Sequence, residues 1–293
     1  MSRRGLALFV LMGVVWGIPY LLIKVAVTDL SPPTLVFVRT LVGAAILVPL
    51  AATRGELAPL RRHWKIILVY TLVEVAGPWL LLSHAEQRLP SSLTGLMVAA
   101  VPLIGAVLAW TTGGERLDFR AIGGLVVGLL GVGLLVGLDV SVTDLPAAGE
   151  VVLVATGYAV GPWIIARRLR DMPAMGVVAA SLALTAIAYA PVGILLAPRT
   201  LPSAQVLVSV LILGVVCTAL AFVAFFALIA EIGPVRATVI TYVNPAVALL
   251  LGVVLLAEPL TIGAAAGFVL ILAGSALTAR RPVQDRAALV AEP

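Results

Sequence analysis

The chain has 293 residues, of which 62% are hydrophobic and only 11% are charged, and its mean hydropathy is +1.17. A soluble domain carries about 25% charged residues because its surface faces water, so this composition excludes an ordinary soluble globule and favours a lipid bilayer as the solvent. The net charge of +5 does not indicate a nucleic-acid partner, because the basic residues form short clusters between apolar runs. The single cysteine, Cys217, excludes an intramolecular disulfide and a cysteine-based metal cluster.

Ten apolar runs are long enough to cross ~30 Å of hydrocarbon, which takes about 20 helical residues. The first follows Ser2-Arg3-Arg4, a start that resembles the charged region of a signal peptide. It continues to about Val27 without a cleavage pattern and is interpreted as a retained helix. The sequence therefore predicts an all-α membrane protein with ten transmembrane helices joined by short connections. The predicted spans are 5–25, 33–53, 64–85, 91–112, 120–138, 149–167, 174–197, 203–228, 234–256 and 261–279.

The lysines and arginines predict the orientation of these helices, because cytoplasmic loops are enriched in them. With the N-terminus in the cytoplasm, 15 of the 19 basic residues lie in cytoplasmic segments. Lys24, Arg88 and Arg199 lie outside, and Arg39 lies within a span. We therefore expect a multi-pass protein of the plasma (inner) membrane with both termini cytoplasmic. The residues placed in the cytoplasm are Arg3, Arg4, Arg54, Arg61, Arg62, Lys65, Arg116, Arg120, Arg167, Arg168, Arg170, Arg236, Arg280, Arg281 and Arg286.

The chain also repeats itself at an offset of 143 residues. Matched prolines, glycines and a glutamate are hard to obtain by chance, even in an apolar sequence. Each half holds five spans, an odd number, so the second copy must enter the membrane from the opposite side, as in transporters that work by alternating access. The two repeats are predicted at 5–138 and 149–279, with a cytoplasmic tail at 280–293. The clearest matched pairs are Pro19/Pro162, Pro102/Pro245, Glu115/Glu258, Leu117/Leu260, Gly124/Gly267 and Gly131/Gly274.

Short motifs in both halves are distinctive. They are Trp16-Gly17, Lys24, Pro32 or Pro33 and Arg39 in the first half, and Ile232–Ala237, Tyr242–Pro245, Glu258–Leu260 and Gly267–Gly274 in the second. Together they resemble the drug/metabolite transporter superfamily, specifically its ten-helix members with two EamA domains, over nearly all of residues 5–281. The resemblance implies ten helices, cytoplasmic termini and export or exchange of metabolites, amino acids or toxic compounds. It leaves the solute open.

Two charged residues, Glu74 and Arg39, lie well away from the ends of their predicted spans. A charge at such depth costs roughly 2.5–3.5 kcal/mol on insertion scales and so tends to face a cavity or a partner. Glu74 lies in the middle of the third span and Arg39 in the outer third of the second. One interpretation makes them substrate-binding or proton-linked groups. The other pairs them with each other or with backbone carbonyls to hold helices together. Their repeat positions are Cys217 and Leu182, so the charged site is asymmetric, which favours a role beyond scaffolding.

Aromatic residues of the first and sixth spans are candidates for the lining of a substrate cavity. Trp16, Tyr20 and Lys24 are spaced by four residues and share one helical face. Trp163 is the repeat partner of Tyr20, and each directly follows a proline. Rings with polar handles suit an organic solute, whereas the alternative is anchoring at headgroup level. We expect Trp16, Tyr20 and Trp163 to bind substrate.

Prolines inside spans predict bends, because each frees a backbone carbonyl. Such bends serve as gates or simply curve helices around a cavity. Asn244 is a polar group at depth beside one of these prolines, and it is assigned to substrate binding together with Tyr242 in the same motif. The candidate gating or kink residues are Pro19, Pro102, Pro162 and Pro245.

Glycines four residues apart let helices approach closely. They predict tight contacts of the fifth and tenth spans, either within one monomer or at the face of a homodimer. The pairs are Gly124/Gly128, Gly133/Gly137 and Gly263/Gly267.

The function predicted from these features is secondary transport of a small organic solute. Gly113-Gly114-Glu115 lacks the lysine and spacing of a phosphate-binding loop, and no metal-ligand spacing occurs, so we expect no cofactor. Transport must then be driven by a gradient, with protons or a counter-substrate as candidate partners. The alternative is an intramembrane enzyme acting on a lipid or small metabolite. It would need a nucleophile–base pair or a metal set at depth, and the sequence shows neither.

Overall fold

The computed structural model describes residues 2–112, 119–233 and 237–279, and within these ranges the chain is helical, with no β-strand. The apolar helical segments are α1 (Arg3–Ala26), α2 (Pro32–Thr53), α3 (Ala58–Ala85), α4 (Ser91–Thr111), α5 (Phe119–Asp139), α6 (Val142–Arg168), α7 (Ala174–Leu195), α8 (Ala204–Ile232), α9 (Val239–Leu255) and α10 (Ile262–Thr278). The first eight are long and apolar enough to cross a membrane, and α9 and α10 are shorter apolar helices. The predicted all-α, ten-helix fold is confirmed. The predictions at Glu115–Leu117, at Arg236 and for the tail at 280–293 lie outside the described residues.

Short polar residues and glycines set the ends of several helices. Ser31 and Ser203 precede α2 and α8, and their hydroxyls accept hydrogen bonds from the backbone N–H groups of Thr34 and Val206, each at 3.4 Å. Such N-caps satisfy donors that the first helical turn leaves free. Gly233 ends α8 with a φ of +82°, which glycine adopts without steric strain.

Three of the four predicted kink prolines lie where a helix restarts. Pro19 follows a turn at Trp16–Gly17, and Pro19, Pro102 and Pro245 are each the second residue of a new helical segment. Proline fits there because the first turn needs no N–H donor. Pro162 differs, since the helix of α6 continues through it without a break. The repeat pair Pro102/Pro245 therefore gives matching helix starts, whereas Pro19/Pro162 does not.

Helices α3 and α8 each contain one π-helical turn, at Thr71–Ala76 and Val215–Leu220. Glu74 and Cys217, which the repeat aligns, lie within these two turns. A π turn widens the helix and leaves backbone groups less regularly bonded, and it occurs frequently at functional sites. The sequence repeat is thus accompanied by a repeated distortion of the backbone.

The two halves pack helix against helix with pseudo-two-fold symmetry. The helix pairs in contact include α1/α8, α2/α7, α3/α6, α4/α9 and α5/α10. A two-fold operation exchanges each helix of the first half with the helix five positions later in the chain. It converts α1/α8 into α6/α3, and it leaves α2/α7, α4/α9 and α5/α10 unchanged. Because each half has an odd number of crossings, the halves run in opposite directions, which is the predicted inverted repeat.

Glycines bring α5 and α10 into backbone contact. A Cβ atom added at Gly131 would lie 2.8 Å from the carbonyl oxygen of Gly267, closer than real Cβ atoms approach, and Gly124 and Gly274 are equally tight. Gly133, by contrast, has no atom within 4 Å of such a Cβ. The tight glycines therefore pack within the monomer.

Candidate functional site

Arg39 lies in the interior between the two halves, with 7% of its surface exposed. Its Nε donates a hydrogen bond of 3.1 Å to Thr218 Oγ1, in the π turn of α8. Its Cζ lies 3.7 Å from the ring centroid of Trp79 in α3. Within the described residues, no carboxylate lies within 4.0 Å of its nitrogens, so Arg39 and Glu74 do not form an ion pair there. A guanidinium has five N–H donors in a planar fork, and most of these remain available.

Two tyrosines complete a polar cluster around Arg39. Tyr20 of α1 is 7% exposed, and both Tyr20 and Tyr158 of α6 are electrostatic neighbours of the guanidinium. Tyr158 packs against the apolar cores of both the α1/α8 and the α2/α7 helix pairs. Five helices therefore contribute one residue each to what we call the central cluster. Its members are Tyr20, Arg39, Trp79, Tyr158 and Thr218.

Glu74 lies at the edge of the central cluster, in the π turn of α3. Its Oε2 is buried and has no hydrogen-bond partner among the described residues. The carboxylate packs against Gly161 of α6, where any Cβ would collide with it. Tyr158 is an electrostatic neighbour of both Glu74 and Arg39. The structure thus connects the two charged residues through Tyr158 and not by direct contact.

Trp16 lies at the break in α1 and packs on aromatic residues of α8. Its ring centroid is 5.8 Å from that of Phe222 and 4.6 Å from that of Phe225. Phe226 extends this group, 6.1 Å from Phe225. Trp16 is partly buried and belongs to the surroundings of the same apolar core as Tyr20. The two predicted aromatic residues of α1 therefore contact one continuous interior surface.

Tyr242 and Asn244 use their polar groups to join helices. The Tyr242 hydroxyl donates a hydrogen bond of 3.2 Å to the carbonyl of Ser275 in α10. With its amide nitrogen turned toward the neighbouring carbonyls, Asn244 donates to Ile240 O at 3.0 Å and to Gly13 O at 2.9 Å. Substrate binding by either side chain stays a prediction, because the contacts in this structure are with the protein itself.

Trp163 lies apart from Tyr20, in a different apolar core that includes Leu60 and Leu169. Its Nε1 donates to Thr112 Oγ1 at 3.3 Å, and the guanidinium carbon of Arg167 lies 5.2 Å from its ring centroid. These partners place Trp163 at the end of the bundle that carries Arg167. The two rings that the repeat relates do not meet, and the role of Trp163 in substrate binding stays a prediction.

Glu86 is a buried acid to which the sequence assigned no role. It directly follows α3, it is 0% exposed, and neither carboxylate oxygen has a hydrogen-bond partner among the described residues. Lys24 Nζ donates instead to the backbone carbonyls of Glu86, at 2.6 Å, and Leu89, at 2.9 Å. Burial raises the pKa of Glu86 well above its usual value, against the opposing charges of Lys24 and Arg39. The available signal was that Lys24 and Glu86 lie at the same predicted end of neighbouring spans.

Glu258, beside Glu86, joins the two halves. Its Oε1 accepts hydrogen bonds from Ser91 N at 2.7 Å and Ser91 Oγ at 3.0 Å, and its Oε2 accepts one from Ser92 N at 2.9 Å. A carboxylate at this position satisfies free N–H groups of the first turn of α4 and interacts favourably with the helix dipole. Because α4 belongs to the first half and Glu258 to the second, this cap crosses the interface between them.

An inverted repeat of ten helices around a buried polar cluster is an architecture found in membrane transporters. Comparison with known families agrees with this class. The profile of the EamA-like transporter family matches residues 3–137 and again residues 147–280. The chain therefore belongs to the EamA-like transporter family and is a multi-pass membrane protein of the transporter class.

Similar proteins span nearly the same length. The uncharacterized transporter YvbV of Bacillus subtilis is 25% identical over an alignment 307 residues long, gaps included. The alignment covers 99% of this chain and 96% of YvbV. The uncharacterized inner membrane transporter YedA of Escherichia coli is 27% identical over 264 residues, covering 87% and 83% of the two chains. A solved crystal structure of a protein with 24% identity matches 96% of this chain and 100% of its own, with a TM-score of 0.69, and shows the same fold.

Proposed function

We propose that this protein is a secondary transporter that exports or exchanges small organic metabolites, such as amino acids or drug-like compounds, across the plasma membrane by alternating access. The observation that carries the proposal is the environment of Arg39. This cation is buried between the halves, is held by Trp79 and Thr218, and has no carboxylate partner in the described part of the chain. A buried cation without an anionic partner is unfavourable, so an anionic group of the solute is the partner that suits it.

A carboxylate is the group that fits this position best. The planar guanidinium binds carboxylates through two parallel hydrogen bonds, and Arg39 already uses Nε for Thr218. Tyr20, Trp79 and Tyr158 provide aromatic surface beside it. The organic part of the solute would pack on these rings, while the carboxylate contacts the guanidinium.

Alternating access follows from the inverted repeat. The central cluster is closed off in this structure, since Tyr20 and Arg39 are each 7% exposed. A solute reaches it only when the halves separate at one end, and the pseudo-two-fold axis makes the opposite opening geometrically equivalent. The π turns of α3 and α8 lie at the level of the cluster and supply deformable backbone there. Export requires opening toward the cytoplasm first, because the solute is taken up from that side.

An intramembrane enzyme is the alternative. The described residues contain no group of three or more histidine, cysteine, aspartate and glutamate side chains that could hold a metal ion. His84 contacts Glu150 at 2.9 Å, but this pair is partly exposed at the end of the bundle. Nothing in this arrangement favours catalysis over transport.

Uptake and efflux of a panel of metabolites in proteoliposomes, with and without a pH gradient, test the proposal. Arg39→Gln removes the cation, Arg39→Lys keeps the charge without the planar fork, and Arg199→Gln is an exposed control. Hydrogen bonds to charged groups contribute ~1.5–3 kcal/mol, so we expect about a 10- to 100-fold weaker apparent affinity for carboxylate solutes in Arg39→Gln. Wild-type affinity in Arg39→Gln, or no transport of any organic anion by the wild type, would contradict the anion site.

A further inference from the structure

The loop between α3 and α4, residues 86–90, is held from two sides. On the first, Lys24 of α1 donates its two hydrogen bonds to the carbonyls of Glu86 and Leu89. On the second, Glu258 binds the start of α4 directly after the loop, through Ser91. This loop therefore lies at the junction of the two halves, at the end of the bundle that the charge pattern predicts to be external. Any opening at that end has to move it.

The carboxyl group of Glu86 is enclosed at this junction and bonded to nothing among the described residues. None of its charged neighbours bonds to this carboxyl group: Lys24 binds carbonyls, Glu258 binds the start of α4, and Arg39 contacts Thr218 and Trp79. The remaining titratable groups that face it are the phenols of Tyr20 and Tyr158. A buried carboxylate anion without a hydrogen bond is highly unfavourable, whereas the neutral acid is tolerated.

We propose that Glu86 is a proton-binding site at the junction of the halves, and that its protonation state decides whether Lys24 holds the Leu89 end of the 86–90 loop. In the closed arrangement the proton is on Glu86, the acid is neutral, and the Lys24 ammonium is free to bind the two carbonyls. Burial raises the pKa of Glu86, which supports this assignment because it favours the neutral acid while the end is closed.

Release of the proton reverses the preference of Lys24. When the Glu86 O–H transfers its proton to water, a carboxylate forms within reach of the ammonium. A charge-assisted hydrogen bond to that carboxylate is stronger than one to a carbonyl, so Lys24 leaves Leu89 O. Glu86, which directly follows α3, stays bound to Lys24, but the Leu89 end of the loop is no longer tied to α1. The start of α4 keeps its hydrogen bonds to Glu258, and moves with the second half. Proton release and opening at this end are thereby linked.

The inference rests on the proposed function only in that opening at the predicted external end serves transport. The proton site itself is tested without any solute. Infrared spectra of the purified protein in nanodiscs, recorded across a pH titration, report protonated carboxyl groups directly. We expect the wild type and Glu150→Gln to show a carboxyl band at neutral pH that Glu86→Gln lacks, and that band to disappear from the wild type at alkaline pH. A spectrum of Glu86→Gln identical to that of the wild type would overturn the proposal.

Cysteine labelling tests the movement of the loop. Leu89→Cys, at a position 2% exposed, is placed in a Cys217→Ala background, and its alkylation rate is divided by that of the exposed Arg199→Cys at each pH to remove the pH dependence of the thiol. We expect the ratio to rise at least several-fold with increasing pH, and to stay low and flat when Glu86→Gln is added. If that variant does not fold, Lys24→Met replaces it and must give a high ratio that is independent of pH. A pH-dependent ratio in either variant contradicts the switch.

Discussion

Glu74 and Cys217 occupy equivalent positions, 143 residues apart, each inside a π-helical turn that packs toward the central cluster. The backbone distortion is therefore common to both halves, while the acid is present in only one. A shared distortion suits a hinge that both halves use. An acid in one half alone suits the recognition of a solute that is itself asymmetric.

We predict that Glu74 recognises the cationic group of a solute whose carboxylate binds Arg39. Glu74→Gln should weaken the apparent affinity for an amino acid about 10-fold, because a charge-assisted hydrogen bond is lost. The apparent affinity for the same carboxylic acid without its amine should not change. Competition between the two compounds for transport in proteoliposomes measures this. Cys217→Ala is the control at the equivalent position. An equal loss for both compounds would make Glu74 a structural residue.

Tyr20 and Trp163 are expected to behave differently, although the repeat aligns them. Tyr20→Ala should weaken solute binding, since its ring lies beside Arg39 and ring contacts contribute roughly 0.5–1.5 kcal/mol beyond burial. Bound solute should also protect a cysteine at position 20 from alkylation. Trp163→Ala should instead lower the melting temperature, because it removes the link from α6 to Thr112. Melting curves and solute titrations on both variants separate the two roles, and loss of affinity in Trp163→Ala alone would reverse them.

The glycines of α5 provide a paired test of helix packing. Gly131→Leu should destabilise the fold strongly or prevent the protein from accumulating. A Cβ atom at this position would already lie 2.8 Å from Gly267 O, and the leucine side chain extends beyond it. Gly133→Leu, two residues away and with nothing within 4 Å, should be tolerated in the monomer. Thermal unfolding in detergent measures both. If Gly133→Leu left thermal stability unchanged but shifted the elution volume in gel filtration, the open face of α5 would be a homodimer contact.

The cap at Glu258 should contribute measurably to stability. Glu258→Gln weakens three hydrogen bonds to Ser91 and Ser92, and hydrogen bonds to a charged acceptor contribute ~1.5–3 kcal/mol. Glu150→Gln affects only a partly exposed contact with His84, where pairs contribute about 0–1 kcal/mol. We expect a clear drop in melting temperature for the first variant and almost none for the second. Equal melting temperatures would show that the cap is dispensable.

The orientation is tested with single cysteines in a Cys217→Ala background. Cysteines at Arg61 and Arg168, both exposed at the predicted cytoplasmic side, should resist a membrane-impermeant thiol reagent applied to intact cells. A cysteine at Arg199 should react. Permeabilised cells, in which all three should react, control for accessibility. Labelling of the first two from outside would invert the topology.

Much of the fold followed from the sequence because the signals were local. Apolar length predicted the spans, and the offset of 143 predicted the pairing of the halves. The π turns were not predicted, since a single extra residue per turn hardly alters a run that is apolar on all sides. Likewise Pro162 resembled Pro19 by position, yet one lies inside a continuous helix and the other at a helix start.

The candidate site was predictable only in part, because burial at span ends depends on residues distant in sequence. Arg39 was identified as a charge inside a span. Glu86 resembled a loop residue, and its burial results from Lys24 and Glu258, 62 residues before it and 172 after it. No sequence motif distinguishes Trp79 and Tyr158 from the other aromatic residues in the apolar runs. Only their positions around the Arg39 guanidinium identify them as members of the central cluster.

The cap at the start of α4 has a consequence for biosynthesis. Ser91 is made 167 residues before the glutamate that binds it, so α4 enters the bilayer with N–H groups at its start that no carboxylate yet satisfies. The ribosome must complete nine helices before Glu258 emerges. Until then the hydrogen bonds that join Ser91 and Ser92 to the second half cannot form. A gene split between the two repeats would yield a first polypeptide that reaches its final form only on meeting the second.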